Sequence, residues 1–127
     1  MTKKGKRPVF LVDNDIRFSE FKENYHKKAK FYSTVGLMGQ SNAEDPEIFA
    51  KCSSLNIHII TGNSGDFIPQ QIHDPTSKIG IVGIGSHTEE SIKTFGKVLK
   101  ELPEHGDYIN KYISVTSKGY TIKKRTT

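Results

Sequence analysis

The chain has a single cysteine, Cys52, in 127 residues, and no apolar run long enough to cross a membrane. One thiol cannot close an internal disulfide, so a packed core has to supply stability, and the expected compartment is a reducing one, the cytoplasm. The basic start (Lys3, Lys4, Lys6, Arg7) is followed by a short strand-like run and not by the apolar core of a signal peptide. Internal repeats, low-complexity segments and a dividing linker are all missing, so the expectation is one domain over residues 1–127, with a basic tail at 1–7. The five histidines show no metal-ligand spacing, and no serine or cysteine nucleophile motif is present. Acids are outnumbered, 14 against 19 lysines and arginines, for a formal net charge of +5. That balance permits a nucleic-acid partner without requiring one.

What is present is an alternation of strand and helix signals. Val9 to Val12 is a continuous apolar run bounded by Pro8 and Asp13, the pattern of a strand buried on both faces. Phe18, Phe21, Tyr25 and Ala29 then recur at helical spacing. Phe31 to Val35 reads as a second strand, and Gly36-Leu37-Met38-Gly39 as a loop. Asp45-Pro46-Glu47 predicts a helix start, with Asp45 as N-cap, and the helix carries Ile48, Phe49 and Cys52 to about Ser54. Cys52 falls on its apolar side, as a packing residue. Asn56 to Thr61 and Ile79 to Ile84 are further strands. Ser86 and Glu89 predict a capping box for a last helix with stripe Ile92, Phe95, Val98, Leu99 and Leu102, ended by Pro103. Residues 111–125 read as a C-terminal β-hairpin turning at Ser117-Lys118-Gly119. The expected class is α/β, a three-layer sandwich around a mostly parallel central sheet.

In such a sheet the first and third strands would lie close, with their exits on one edge, and polar groups gather at those exits. Asp13 and Asp15 follow the first strand, Asp45 and Glu47 open a helix, and Asn63 and Asp66 follow the third strand. Asp15 and Asp45 also suit helix caps, and Thr61 and Asn63 also suit a turn. Clustered carboxylates repel unless a cation neutralises them, and hard oxygen ligands match Mg²⁺ or Mn²⁺.

The segments "FLVDND", "GLMGQSNAEDPEIF" and "IHIITGNSGDF" resemble, in order and spacing, the PIN-like nuclease superfamily, especially its compact branch associated with toxin–antitoxin pairs. The resemblance covers roughly residues 9–67. It implies a PIN-like fold and a metal-dependent endoribonuclease, with Asp13, Glu47 and Asp66 as catalytic and metal-holding acids and Asp15, Asn63 and Thr61 in support. It also implies RNA as substrate and an antitoxin protein as partner, and a second copy of the chain is a further candidate partner. Asn63 stands where that pattern has an aspartate, and Gly65 adds one residue before Asp66. The alternative is therefore a catalytically inactive PIN-like module that binds RNA or protein. A receiver-domain reading of "VFLVDND" lacks an aspartate at the end of the third strand. "GIVGIGSH" lacks the third glycine of a dinucleotide fingerprint and reads as a tight turn.

Overall fold

The computed structural model describes residues 6–13, 16–40, 42–62, 77–85 and 88–124. Strand β1 is the apolar run Val9–Val12, and its side chains alternate between two cores, Phe10 and Val12 into one and Leu11 into the other. A strand buried on both faces belongs inside a sheet. Accordingly β1 pairs in parallel with β2 (Lys30–Ser33) on one side and β3 (His58–Thr61) on the other. Strands β4 (Ile81–Ile84) and β5 (Lys111–Val115) extend the parallel array, and β6 (Tyr120–Lys124) ends it antiparallel. The order is β2-β1-β3-β4-β5-β6, and the expected terminal hairpin is its far edge.

Helices cover both faces. On one, α1 (Phe18–Tyr25) and α4 (Glu89–Glu101) press Phe21, Ile92, Phe95, Val98 and Leu99 onto Phe10, Phe31, Val82 and Ile113. The rings of Phe10 and Phe95 meet edge to face at 5.6 Å, as do those of Phe21 and Phe95 at 5.2 Å. On the other face α3 (Asp45–Leu55) sets Ile48, Phe49 and Cys52 against Leu11, Ile59 and Ile81. The sandwich therefore has three layers.

The crossovers differ in hand. The chain steps from β1 to β2 over one face, then back past β1 to β3 over the other, and these two crossovers share one hand. Helix α4 carries the chain from β4 to β5 in the direction of the second step but lies on the face of the first. Its crossover has the opposite hand, a departure from the usual uniformity of parallel sheets. The consequence is that α4 lies beside α1, where the Tyr25 hydroxyl donates to the Ile92 carbonyl at 2.6 Å.

Local boundaries depart from the sequence expectations at the helix ends. The segment expected to be a strand to Val35 and then a loop contains a short helix, α2 (Thr34–Met38). The Ser33 side chain accepts from the Gly36 N–H at 2.9 Å and opens it, and Gly39 at φ 77° closes it. In α3, Glu44 holds the N-cap position and Asp45 lies inside the first turn with Pro46. Asn56 ends that helix in the left-handed conformation, so β3 starts later than expected. The capping box of α4 is formed by Thr88 and Ser91, not by Ser86 and Glu89; Ser86 itself lies outside the described residues. Arg17, not Asp15, holds the N-cap position of α1.

Candidate functional site

The strand order reverses between β1 and β3, because β1 is followed in sequence by a neighbour on one side and β3 is reached on the other. In open α/β sheets the crevice beyond the carboxyl ends of such strands is where ligands bind. Asp13 stands immediately after β1 at that point. Its N–H donates to the Ile60 carbonyl at 2.8 Å, which continues the β1–β3 ladder one step past the strand. Its carboxylate accepts a hydrogen bond from the Thr61 hydroxyl, at the end of β3, at 3.0 Å. Thr61 is fully buried and Asp13 half-buried, so the pair runs from the interior of the sheet to its surface. Thr34, buried at the start of α2, donates to the Val12 carbonyl at 3.4 Å and ties β1 to the segment after β2.

Asp13 and Thr61 follow the alternation of Leu11 and Ile59, which places both on the α3 side of the sheet. The field of Asp13 reaches that helix. Burial, with the Asp13 carboxylate as a second cause, pushes the Cys52 thiol up to about 12. Cys52 is a buried packing residue, as its place on the apolar side of α3 implied. Glu47 lies in the first turn of α3 with its side chain exposed, and Asp45 precedes it half-buried.

Of the residues singled out from sequence, then, the structure joins Asp13 to Thr61 directly and puts Glu47 on the helix that covers the same face. Asp15, Asn63 and Asp66 lie outside the described residues. Among the described residues no three His, Cys, Asp or Glu side chains converge on a point that could hold a metal ion. Asp13 and Glu47 offer hard carboxylate oxygens, the donor type that Mg²⁺ and Mn²⁺ take, and such ions commonly use only one or two protein carboxylates. The donor chemistry fits.

At the opposite edge of the sheet lies a histidine pair that the sequence did not reveal. His58 is buried and stacks on His105 with ring centroids 4.1 Å apart. The Gly80 N–H donates to Nδ1 of His58 at 2.8 Å, and Nε2 donates to the His105 carbonyl at 2.8 Å. His105 in turn accepts from the Val9 N–H at 3.0 Å and donates to the Asn56 carbonyl at 2.6 Å. Every ring nitrogen is thus committed to backbone, which makes the pair a structural clasp and not a metal ligand set. Burial, and the neighbouring His105, hold His58 down at about 3. Burial also lowers His105, with Lys6 acting in the same direction and the bond to Asn56 opposing it.

Two open clefts flank the outer edge of β2. One, about 570 Å³, includes Phe18 and Lys22 of α1 and the C-cap residue His26 in its lining; the other, about 540 Å³, includes Lys6, Leu37 and Leu55. They share Arg7, Lys30 and Tyr32. A third, about 490 Å³, lies between α1 and α4 and mixes Arg17 and Lys93 with Glu20 and Glu89. No described helix is long and apolar enough to cross a membrane.

No family model matches the chain, and no solved structure matches it. The ATP phosphoribosyltransferase of Methanosarcina barkeri (strain Fusaro / DSM 804) is 30% identical to it over 93 residues, covering 66% of this chain and 32% of that protein. The chain therefore spans about a third of the length of the curated relative it matches.

Proposed function

We propose that this chain is a PIN-like, metal-dependent endoribonuclease that hydrolyses RNA phosphodiester bonds, acting as the toxin of a toxin–antitoxin pair. The observation that carries the reading is the Asp13 carboxylate at the β1–β3 switch point, held from below by Thr61. Asp13, Glu47 and Asp66 would hold Mg²⁺ or Mn²⁺, with Asp15 and Asn63 assisting. A bound divalent ion supplies Lewis-acid activation of water and neutralises charge on the scissile phosphate. The protein's own part is to orient. The Thr61 hydroxyl donates to one oxygen of Asp13 and so fixes the carboxylate at the end of β1. The activity named for the Methanosarcina relative is carried no further, because the match leaves roughly two-thirds of that protein without a counterpart.

The test is cleavage of single-stranded RNA in Mn²⁺ by the purified chain and by Asp13→Asn. Asparagine keeps an acceptor for Thr61 but removes the charge, so cleavage is expected to fall about 100-fold or more, the scale of a lost acid–base or ligand group. Equal cleavage by the two proteins, or cleavage that persists in EDTA, overturns the proposal. RNA binding with no cleavage at any metal concentration selects the inactive binding module, the reading that Asn63 favours.

A further inference from the structure

We infer that the outer edge of β2 is a binding track for single-stranded RNA, leading along the strand to the edge where Asp13 sits. The inference rests on the RNA reading above but not on the metal. Phe18 and Lys22 of α1 and His26 at its C-cap are spaced four apart and form one stripe, and that stripe faces the same cleft as Arg7, Lys30 and Tyr32. Among the described residues, neither of the two clefts meeting at Arg7, Lys30 and Tyr32 has a carboxylate in its lining. The cleft between α1 and α4, by contrast, mixes Arg17 and Lys93 with Glu20 and Glu89.

The cations are arranged on rings. The Lys22 ammonium lies 5.7 Å from the centre of the Phe18 ring and the Lys30 ammonium 5.1 Å from that of Tyr32. Both aromatic residues are half-buried and each has an ammonium over its ring; a base that stacks there displaces the lysine, which then meets the adjoining phosphate. Arg7 is braced at the amino end of the strand by bonds to the carbonyls of His26 at 3.2 Å and Lys27 at 3.5 Å. Ser33 and Gly36 line the other end of the cleft, beside Thr34, whose hydroxyl bonds the last carbonyl of β1, one residue before Asp13. Paired cation and aromatic groups along a strand edge match the sequence-tolerant recognition of single strands. An acidic peptide would use the cations and leave the ring faces without a role.

The experiment is fluorescence anisotropy of a labelled ten-nucleotide oligouridine, in EDTA, with the full chain carrying Asp13→Asn so that cleavage plays no part. The double variant Lys22→Glu/Lys30→Glu is expected to weaken binding about ten-fold or more, as loss of phosphate contacts does. Tyr32→Ala is expected to weaken it at unchanged net charge. Lys123→Glu/Lys124→Glu, which makes the same charge change on β6 at the far edge, is expected to change it about two-fold at most. Circular dichroism melts check that each variant is folded. Equal losses from the two double variants, no loss from Tyr32→Ala, or no binding at all would overturn the inference. So would polyglutamate that displaces the RNA and binds as tightly with the same dependence on Lys30. Because metal is absent throughout, failure here leaves the nuclease reading standing, and failure of cleavage leaves the track standing.

Discussion

At the scale of single residues, the His58–His105 clasp sets the response to acid. The folded state keeps His58 neutral first because burial disfavours the charged ring and then because of the neighbouring His105; a proton on Nδ1 would also face the Gly80 N–H, a donor against a donor. The unfolded chain takes that proton near pH 6.5, whereas the folded chain resists it down to about 3. Stability is therefore complete above about pH 6.5 and is lost progressively as pH falls below it. The slope is about 1.4 kcal/mol per pH unit for one such group, or about 2 kcal/mol by pH 5. Urea unfolding midpoints at pH 7 and pH 5 measure it, and His58→Gln is expected to flatten the difference. An unchanged slope in that variant would assign the effect elsewhere. The place of Asp13 at the end of β1 was legible from sequence because an acid ending an apolar run is a local pattern. The clasp was not, since its members are 47 residues apart and meet only after the sheet has formed.

At the scale of elements, two glycines mark close approaches, Gly80 to backbone and Gly96 to a side chain. A Cβ on Gly80 would collide with the Tyr108 carbonyl, which is backbone and cannot yield. A Cβ on Gly96 would lie 2.6 Å from the Tyr25 hydroxyl, the far end of a side chain that can swing aside. Gly80→Ala is expected to cost about 1–3 kcal/mol, the range for overpacking. Gly96→Ala loses the Tyr25 hydrogen bond, about 1 kcal/mol, and gains a similar amount of helix propensity, so it should be near neutral. Thermal melts of the two variants separate these outcomes. Helix bodies were readable from their apolar spacing, as the buried stripe of α4 shows. Their ends were not. Thr88 and Ser91 offer capping chemistry as good as that of Ser86 and Glu89, so residue types alone do not choose between them. Helix α2 is not legible in the sequence because five residues carry too little periodicity to distinguish a turn of helix from a glycine-flanked loop.

At the scale of the whole molecule, the sheet divides its chemistry between two edges and a flank. The carboxylate-bearing switch point lies beyond the strand ends, the histidine clasp locks their beginnings, and the cationic flank runs along β2. If three cations of that flank (Arg7, Lys22 and Lys30) each neutralise one phosphate, the logarithm of RNA affinity should fall against the logarithm of salt with a slope of about −2. A titration from low to moderate salt measures this, and a slope near zero would mean the flank makes no phosphate contacts. The parallel order around β1 followed from burial on both faces of a short apolar run. The reversed hand at α4 did not, because nothing in a helix's own sequence says on which face of the sheet it will settle.

The walled-in sulfur of Cys52 gives the protein a clock of its own. With its side chain fully covered and its ionisation suppressed, it should ignore iodoacetamide until α3 lifts away from the strands beneath it. Mass-spectrometric counting of the single adduct over time would then report how often that layer peels open. Addition of Mn²⁺ should slow the count if the ion draws Asp13 and Glu47 together, since it would fasten the start of the helix to the end of the first strand.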